Sequence, residues 1–500
     1  VALFGKVLVA NRGEIAVRIV RTCRTMGIPT VAVFSEADRE ARHVAEADEA
    51  VAIGPAEALK SYLSIDALVA AARRSGADAV HPGYGFLSEK GDFADAVRDA
   101  GLTFVGPPGD VHRRMGDKKA ARRLMAEAGV PVLAGYGGED QSDARLQSEA
   151  ESVGWPVMVK PSRGGGGKGM RVVRRAEDFA PALAASRREA RAAFGDDAVL
   201  IERFVDRPRH VEVQVVADRE GRILALGERE CSVQRRHQKV VEETPSPALT
   251  PERREALWAA GVEAARAASY VNAGTVEFLL APDGTFSFLE MNTRLQVEHP
   301  VTEAVTGIDL VRLQLEVAAG RPLSLDPEDV VPRGHALECR LYAEDPERDD
   351  LPSPGRILHL TEPEGPGIRV DSGFATGSEV TVHYDPLLAK IVTWGLDRRE
   401  ALERMRDSLR RTVVLGVTTN LPRLRAIVEH PAFAAGEIHT GFIDEHLREL
   451  APRRSPPTEA VAVVAAVLSR AGPPSAGRGA GGSVPDPWES LGPWRLGGGE

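Results

Sequence analysis

Only three of the 500 residues are cysteine. Cys23, Cys231 and Cys339 stand far apart without metal-ligand spacing, which excludes a disulfide framework and a cysteine-held metal, and fits a reducing compartment. Long apolar runs are also missing. The longest, Ala460–Leu468, is about half of the roughly 20 residues that a membrane helix needs. Positive charge is not in excess: the net charge is −10 with acids and bases interspersed, so no basic face argues for nucleic acid or a membrane surface. The opening strand–helix unit lacks G-x-G-x-x-G and is not read as a dinucleotide site. What remains is an ordinary soluble composition, 43% apolar and 27% charged. The length is too great for one core and predicts three or so domains.

Against that background one stretch stands out, Leu289-Glu290-Met291-Asn292-Thr293-Arg294-Leu295-Gln296-Val297-Glu298-His299-Pro300. Every second residue from Glu290 to Glu298 is charged or amide. In an extended chain these five side chains share one face. A merely wet strand face would favour Lys, Ser or Thr over an acid, an amide, a guanidinium, an amide and an acid. A straight strand would spread Glu290 and Glu298 over roughly 26 Å, so a shared site requires a bend near Asn292–Thr293. Upstream, Thr275–Ala281 and Thr285–Glu290 flank Pro282-Asp283-Gly284, a hairpin signal. With the turn centred on Asp283-Gly284 and no bulge, Ala281 faces Phe286 and Glu277 faces Glu290. Opposed carboxylates repel. Either both are solvated or a divalent cation lies between them, as carboxylates hold Mg²⁺ together with phosphate oxygens.

In chain order, Lys6–Ala10, a helix from Glu14 (Ile15, Ile19, Cys23 and Met26 on one face) and Thr30–Phe34 form a βαβ opening, hence a parallel sheet. The His81-Pro82-Gly83-Tyr84-Gly85-Phe86 loop falls at a strand's carboxyl end, where ligands bind in such sheets. A helix runs from Met115-Gly116-Asp117-Lys118 to Gly129. The strand Trp155–Pro161 then enters Ser162-Arg163-Gly164-Gly165-Gly166-Gly167-Lys168-Gly169. Four glycines let backbone N–H groups close over phosphates; the spacing is not that of a Walker A loop, and a plain flexible linker is the alternative. Ala198–Val205 is a strand with a backbone edge and a carboxylate, Glu202, suited to an adenine. His210–Val215 alternates as a strand, and Glu228–Lys239 is dense in hydrogen-bond donors. Cys231 has no dedicated base and reads as a packed thiol. After a helix at Asp309–Ala319, the strand-like Gly334–Leu341 opens a β-rich unit that continues to Lys390. There Arg340 pairs with Glu338 or serves a site. Residues 451–500, rich in Pro, Gly, Ser and Ala, read as linker with one short helix at Glu459–Arg470.

Two lysines on separate units, a glycine-rich cover, an adenine-type edge and opposed glutamates describe an ATP-grasp nucleotide site. Met115–Lys118, Lys160–Met170, Glu230–Lys239, Glu290–Pro300 and Gly334–Arg340 together closely resemble the biotin carboxylase family, over Lys6 to about Leu447. The resemblance implies a multidomain α/β and α+β protein. Its parts would be an N-terminal parallel-sheet domain (1–115), an ATP-grasp domain (116–330) with a mobile glycine-rich lid (about 131–205) and a β-rich C-terminal domain (331–450). Residues 451–500 would then be linker and the start of a following domain.

The resemblance further implies a ligase in which ATP phosphorylates bicarbonate to carboxyphosphate and N1 of carrier-borne biotin is carboxylated. Lys118 and Lys160 would hold the ATP phosphates beneath Gly165 and Gly166, and Glu202, His210 and Gln234 would bind adenosine. Glu277 and Glu290, with Asn292 close by, would carry Mg²⁺ or Mn²⁺. Arg294, Gln296 and the Val297 backbone would bind bicarbonate with Glu298 as its base, Arg340 would steady the biotin oxygen, and His237 and Lys239 would lie beside the phosphoryl group. The implied partners are a biotin carboxyl carrier domain and a carboxyltransferase subunit; self-association is left open. No methionine is followed by Lys-Met, so the carrier's biotinylation motif is absent. The continuation into Asp486–Leu496 suggests a piece of a longer acyl-CoA carboxylase α subunit, of methylcrotonyl-CoA type. The chain enters a strand within its first residues, which predicts no targeting peptide in this stretch; the cytosol is the expected compartment and the mitochondrial matrix is compatible.

Overall fold

The computed structural model describes residues 3–162 and 169–451. The glycines at 164–167, with the expected cover by Gly165 and Gly166, and the expected linker with its helix at 459–470 lie outside the described residues. Val1–Pro452 form one compact unit.

Short β-branched runs open the chain. Val7–Val9 is fully buried and pairs in parallel with Thr30–Ser35 and with Ala79–His81. Glu49–Gly54 and Thr103–Phe104 complete a five-stranded parallel sheet, and the helix Gly13–Thr25 buries Ile15, Ile19 and Cys23 against it. The βαβ expectation therefore holds, with a parallel sheet whose buried strands read as continuous apolar runs. At the carboxyl end of Ala79–His81, Asn11 Nδ2 donates to the carbonyls of Pro82 and Tyr84, both at 2.7 Å. Gly83 has φ +62°, and a Cβ there would lie 2.9 Å from Asn11 Nδ2. Only glycine lets that loop close over the asparagine.

Residues 135–203 build a four-stranded antiparallel sheet from Gly135–Tyr136, Val199–Arg203, Val157–Pro161 and Arg171–Val173. The helices Asp143–Val153 and Phe179–Phe194 cover it, giving this part its own core around Leu146, Val157, Phe179 and Ile201.

Apart from three short two-stranded pairs between residues 344 and 415, the remaining strands form one eight-stranded sheet. Its order is Phe286–Asn292, Asn272–Leu280, Arg209–Ala217, Ile223–Arg235, Gln238–Thr244, His335–Tyr342, Leu387–Gly395 and Ile368–Ser372. It does not stop at residue 330, because Val241 faces Cys339 in an antiparallel pair. The β-rich C-terminal stretch and the preceding part thus share one sheet. The helix His299–Thr306 packs Val301 and Val305 on Ala336 and Val392 beneath that junction.

Candidate active site

The period-2 pattern of 290–298 behaves as expected at both ends. The strand ends at Asn292, the chain bends through Thr293–Val297, and a helix begins at His299. Glu277 faces Glu290 across the hairpin, but not through the expected register. Leu280, not Ala281, faces Phe286, and a bulge between Phe288 and Glu290 shifts the pairing by one, bringing the glutamates opposite each other.

Two more strands extend that row. Glu277 faces Glu212, and Glu212 faces Arg229, so three carboxylates and a guanidinium lie side by side across four neighbouring strands. Like charges in such positions repel, and buried cations balance them. Arg229, fully buried, bonds Glu212 at 2.6 Å and also Gln214, Thr275 and Thr302. Lys239 places one ammonium 2.5 Å from Glu212, 2.9 Å from Glu277 and 2.5 Å from Glu298. Its three donors are thereby used on three acids. Arg340 bridges Glu298 at 2.9 Å and Glu242 at 2.6 Å. The expected alternative pairing of Arg340 with Glu338 does not occur. Glu338 faces Glu242 across the strands, and both its oxygens lack a hydrogen-bond partner among the described residues.

The amides tie the bend to the acid row. Asn292 Nδ2 and Gln296 Nε2 both donate to Glu277 Oε1, at 2.8 and 3.1 Å. Arg294 donates to the oxygens of Asn292 and Gln296, at 3.2 and 3.0 Å, and its Nε lies 3.2 Å from Glu89. His210 Nε2 is 3.0 Å from Glu277, with Gln234 3.4 Å from its other nitrogen. Lys160 forms an ion pair with Glu202, and Lys118, half exposed, lies 3.7 Å from Glu290. His237 is exposed with φ +65°, in the turn between Ile223–Arg235 and Gln238–Thr244. Most of these groups, though not Glu89 or Glu202, line a cavity of about 780 Å³ that takes in Lys118, Lys160, His210, Glu290, Arg294 and Arg340, a size suited to a small-molecule site. A larger cleft of about 1790 Å³ lies between residues 36–45 and 354–383. It contains none of the acids on Lys239.

The charges set distinct protonation states. Burial pushes the Glu298 carboxyl up, but Lys239, Arg340 and Arg229 outweigh it and hold it well below the usual carboxylate range. Glu277 is held down in the same way by Lys239 and His210. Burial and the Glu277 charge push Glu290 up, and burial lifts Glu242 to about 7 despite Arg340. Burial would lower Lys239, but its three carboxylates hold it well above its ordinary value. The site therefore keeps an ionised acid, Glu298, between two fixed cations. Cys231 is buried and its thiol pushed far up by burial, which fits a packed thiol rather than a nucleophile.

Sequence reasoning missed Glu212, Arg229, Glu242 and Glu89 as neighbours of the site. Glu212 carried a signal: His210, Glu212 and Gln214 alternate just as 290–298 do. For Arg229 and Glu242 only the sheet order reveals the contact.

Family models match nearly all of the described chain: the biotin carboxylase N-terminal domain at residues 3–111, the carbamoyl-phosphate synthase L chain ATP-binding domain at 117–326, and the biotin carboxylase C-terminal domain at 338–445. Fold and site together define an ATP-grasp ligase. The α subunit of rat mitochondrial methylcrotonoyl-CoA carboxylase is 51% identical over 451 residues, 90% of this chain and 63% of that protein. The chain thus spans under two thirds of that relative. A Nostoc biotin carboxylase is 49% identical over 442 residues, 88% of this chain and 99% of that protein. Among solved structures, the biotin carboxylase domain dimer of Hydrogenobacter thermophilus 2-oxoglutarate carboxylase, in complex with MgADP, ADP and bicarbonate, is 42% identical with a TM-score of 0.84, covering 90% of this chain and 99% of that one. The chain belongs to the biotin carboxylase family.

Proposed function

We propose that the chain carries out the ATP- and bicarbonate-dependent carboxylation of biotin N1 on a carrier domain, through carboxyphosphate. The observation that carries this reading is Glu298, ionised and gripped between Lys239 and Arg340 at 2.5 and 2.9 Å, beside Arg294 and Gln296. Bicarbonate is a poor nucleophile. A carboxylate near Arg294 takes its remaining proton while the guanidinium steadies the dianion. Phosphoryl transfer needs positioning and charge neutralisation, the role of Lys118, Lys160 and His237 towards ATP, with Glu202, His210 and Gln234 on its adenosine. Arg340 answers the charge that deprotonated biotin places on its ureido oxygen.

The donor set fits a hard divalent cation. Glu277 and Glu290 are opposed carboxylates, the first buried and the second partly exposed, Asn292 adds a carbonyl oxygen, and among the described residues the cation paired with Glu290 is Lys118 at 3.7 Å. Mg²⁺ or Mn²⁺ held by Glu277, Glu290 and Asn292 supplies charge neutralisation between phosphates and acids. The wider assignment is to the α subunit of an acyl-CoA carboxylase of methylcrotonoyl-CoA type, working with a biotin carrier domain and a carboxyltransferase subunit. Six of the similar proteins are named as mitochondrial methylcrotonoyl-CoA carboxylase α subunits.

The test is ADP release by the purified chain with Mg-ATP and bicarbonate, with and without free biotin. Bicarbonate-dependent release stimulated by biotin supports the reading. No release while ATP still binds refutes it and favours a silent scaffold of the same fold. Release that needs an amine rather than biotin points to another ATP-grasp carboxylate–amine ligase.

A further inference from the structure

We infer that Lys390 is a positioning residue for the bicarbonate subsite, pinning the Val297 carbonyl while Arg340 holds the Glu298 side chain. The inference rests on the reading above. Lys390 and Arg340 are directly opposed on neighbouring strands, where two cations would ordinarily repel. They instead reach adjoining residues: Arg340 Nη2 donates to the Glu298 side chain at Oε2, 2.9 Å away, and Lys390 Nζ donates to the backbone at Val297 O at 2.8 Å. Lys390 is fully buried. Its nearest acids, Glu14 at 3.5 Å and Asp371 at 3.8 Å, are both farther than that carbonyl. The shortest bond of a buried ammonium thus goes to the backbone of the site.

The segment explains why a pin is needed. Between the strand end at Asn292 and the helix start at His299 the backbone follows no ladder. The described hydrogen bonds serve the carbonyls of Leu295, Gln296 and Glu298 from Arg294, His299 and Val301, and leave that of Val297 to Lys390. The described donor to that carbonyl is the buried ammonium of Lys390, which fixes the orientation of the 297–298 peptide plane. With that plane fixed, the Val297 backbone and the Glu298 carboxylate keep their mutual geometry, which bicarbonate must match. Nucleotide contacts from Lys160, Glu202 and His210 lie on other strands and do not depend on this plane.

The test compares Lys390→Met, similar in length without the charge, and the double variant Lys390→Met/Glu14→Gln, which also removes the nearest carboxylate so that it does not lose its cation. Both lose the donor to Val297. Steady-state ADP release is measured against bicarbonate and against ATP, with the thermal midpoint recorded. The expected result in both is a bicarbonate KM raised by about tenfold or more, the loss of a charged hydrogen bond, with the ATP KM within about twofold. A fall in kcat with an unchanged bicarbonate KM overturns the inference, as do unchanged kinetics, or failure of both variants to fold, which would assign Lys390 to stability alone. If the unsubstituted chain shows no bicarbonate-dependent ADP release, the functional reading has failed instead.

Discussion

Arg340→Ala separates the two halves of the proposed reaction. The substitution removes two bonds, 2.9 Å to Glu298 and 2.6 Å to Glu242. Their consequences differ because the two acids keep different partners. Glu298 retains Lys239 at 2.5 Å and stays ionised at neutral pH, so its role as base for bicarbonate survives at the cost of one charged hydrogen bond, about 1.5 kcal/mol or roughly tenfold in rate. Glu242, already lifted to about 7 by burial, takes up a proton, which limits the penalty of leaving a buried acid unpaired. In the proposed roles Arg294 is engaged by bicarbonate, and Arg340 alone is assigned to the ureido oxygen. Losing a donor aimed at developing charge costs about 2.7–4 kcal/mol, a hundredfold to a thousandfold. The assay runs bicarbonate-dependent ADP release without biotin alongside carboxybiotin formation from labelled bicarbonate. The expected outcome is a loss of carboxybiotin at least about ten times greater than the loss of ADP release. The acid limb of the ADP-release profile should also move to higher pH, because one of the cations that depress Glu298 is gone. Equal losses, or an unmoved acid limb, would refute the assignment of separate duties to Arg340 and Lys239.

Lys239→Met leaves Glu212, Glu277 and Glu298 without their shared ammonium, so the urea midpoint at pH 8 should report a loss of about 3–5 kcal/mol, smaller at pH 5 where the acids protonate. Glu14, buried with neither oxygen hydrogen-bonded among the described residues, is raised from its ordinary 4.5 to about 7 by burial, against Lys390. Between those values the folded chain holds a proton that the unfolded chain has lost, so stability falls as pH rises through that window by about 3 kcal/mol for this group. Glu14→Gln should therefore shrink the stability difference between pH 5 and pH 8 by about that amount in urea melts, and an unchanged difference would contradict the raised value. Glu290→Gln should raise the Mg²⁺ concentration for half-maximal ADP release by at least about tenfold, and excess chelator should abolish release in the unsubstituted chain; an unaltered metal requirement in the variant would move the cation elsewhere.

Local order carried the sequence reading far, and sheet order is where it ran out. Alternation along 290–298 fixed which side chains share a face, and the distance between its two end acids required a bend, which the chain makes after Asn292. The opposition of Glu277 and Glu290 was expected from a turn register that the structure does not have. Leu280 faces Phe286 and a bulge before Glu290 restores the offset, so two local irregularities, neither written in the apolar pattern, cancelled. Alternation says nothing about which strand lies beside which. Arg209–Ala217 runs between Asn272–Leu280 and Ile223–Arg235, and only that order turns Glu212 into the centre of the acid row and gives Lys239 three partners. The same limit explains Arg340 and Lys390. Each is a lone cation in a strand-like run whose acids sit 42 to 98 residues away for Arg340, and whose carbonyl sits 93 residues away for Lys390. Once the sheet order is known, the charge pattern is over-determined: a row of buried acids is tolerable only where cations reach it. The lysine and arginines at its centre are thus required both by the stability of the sheet and by the reaction proposed for it. Substitutions there will disturb both, and the two effects separate only when kinetics and stability are measured on the same variant.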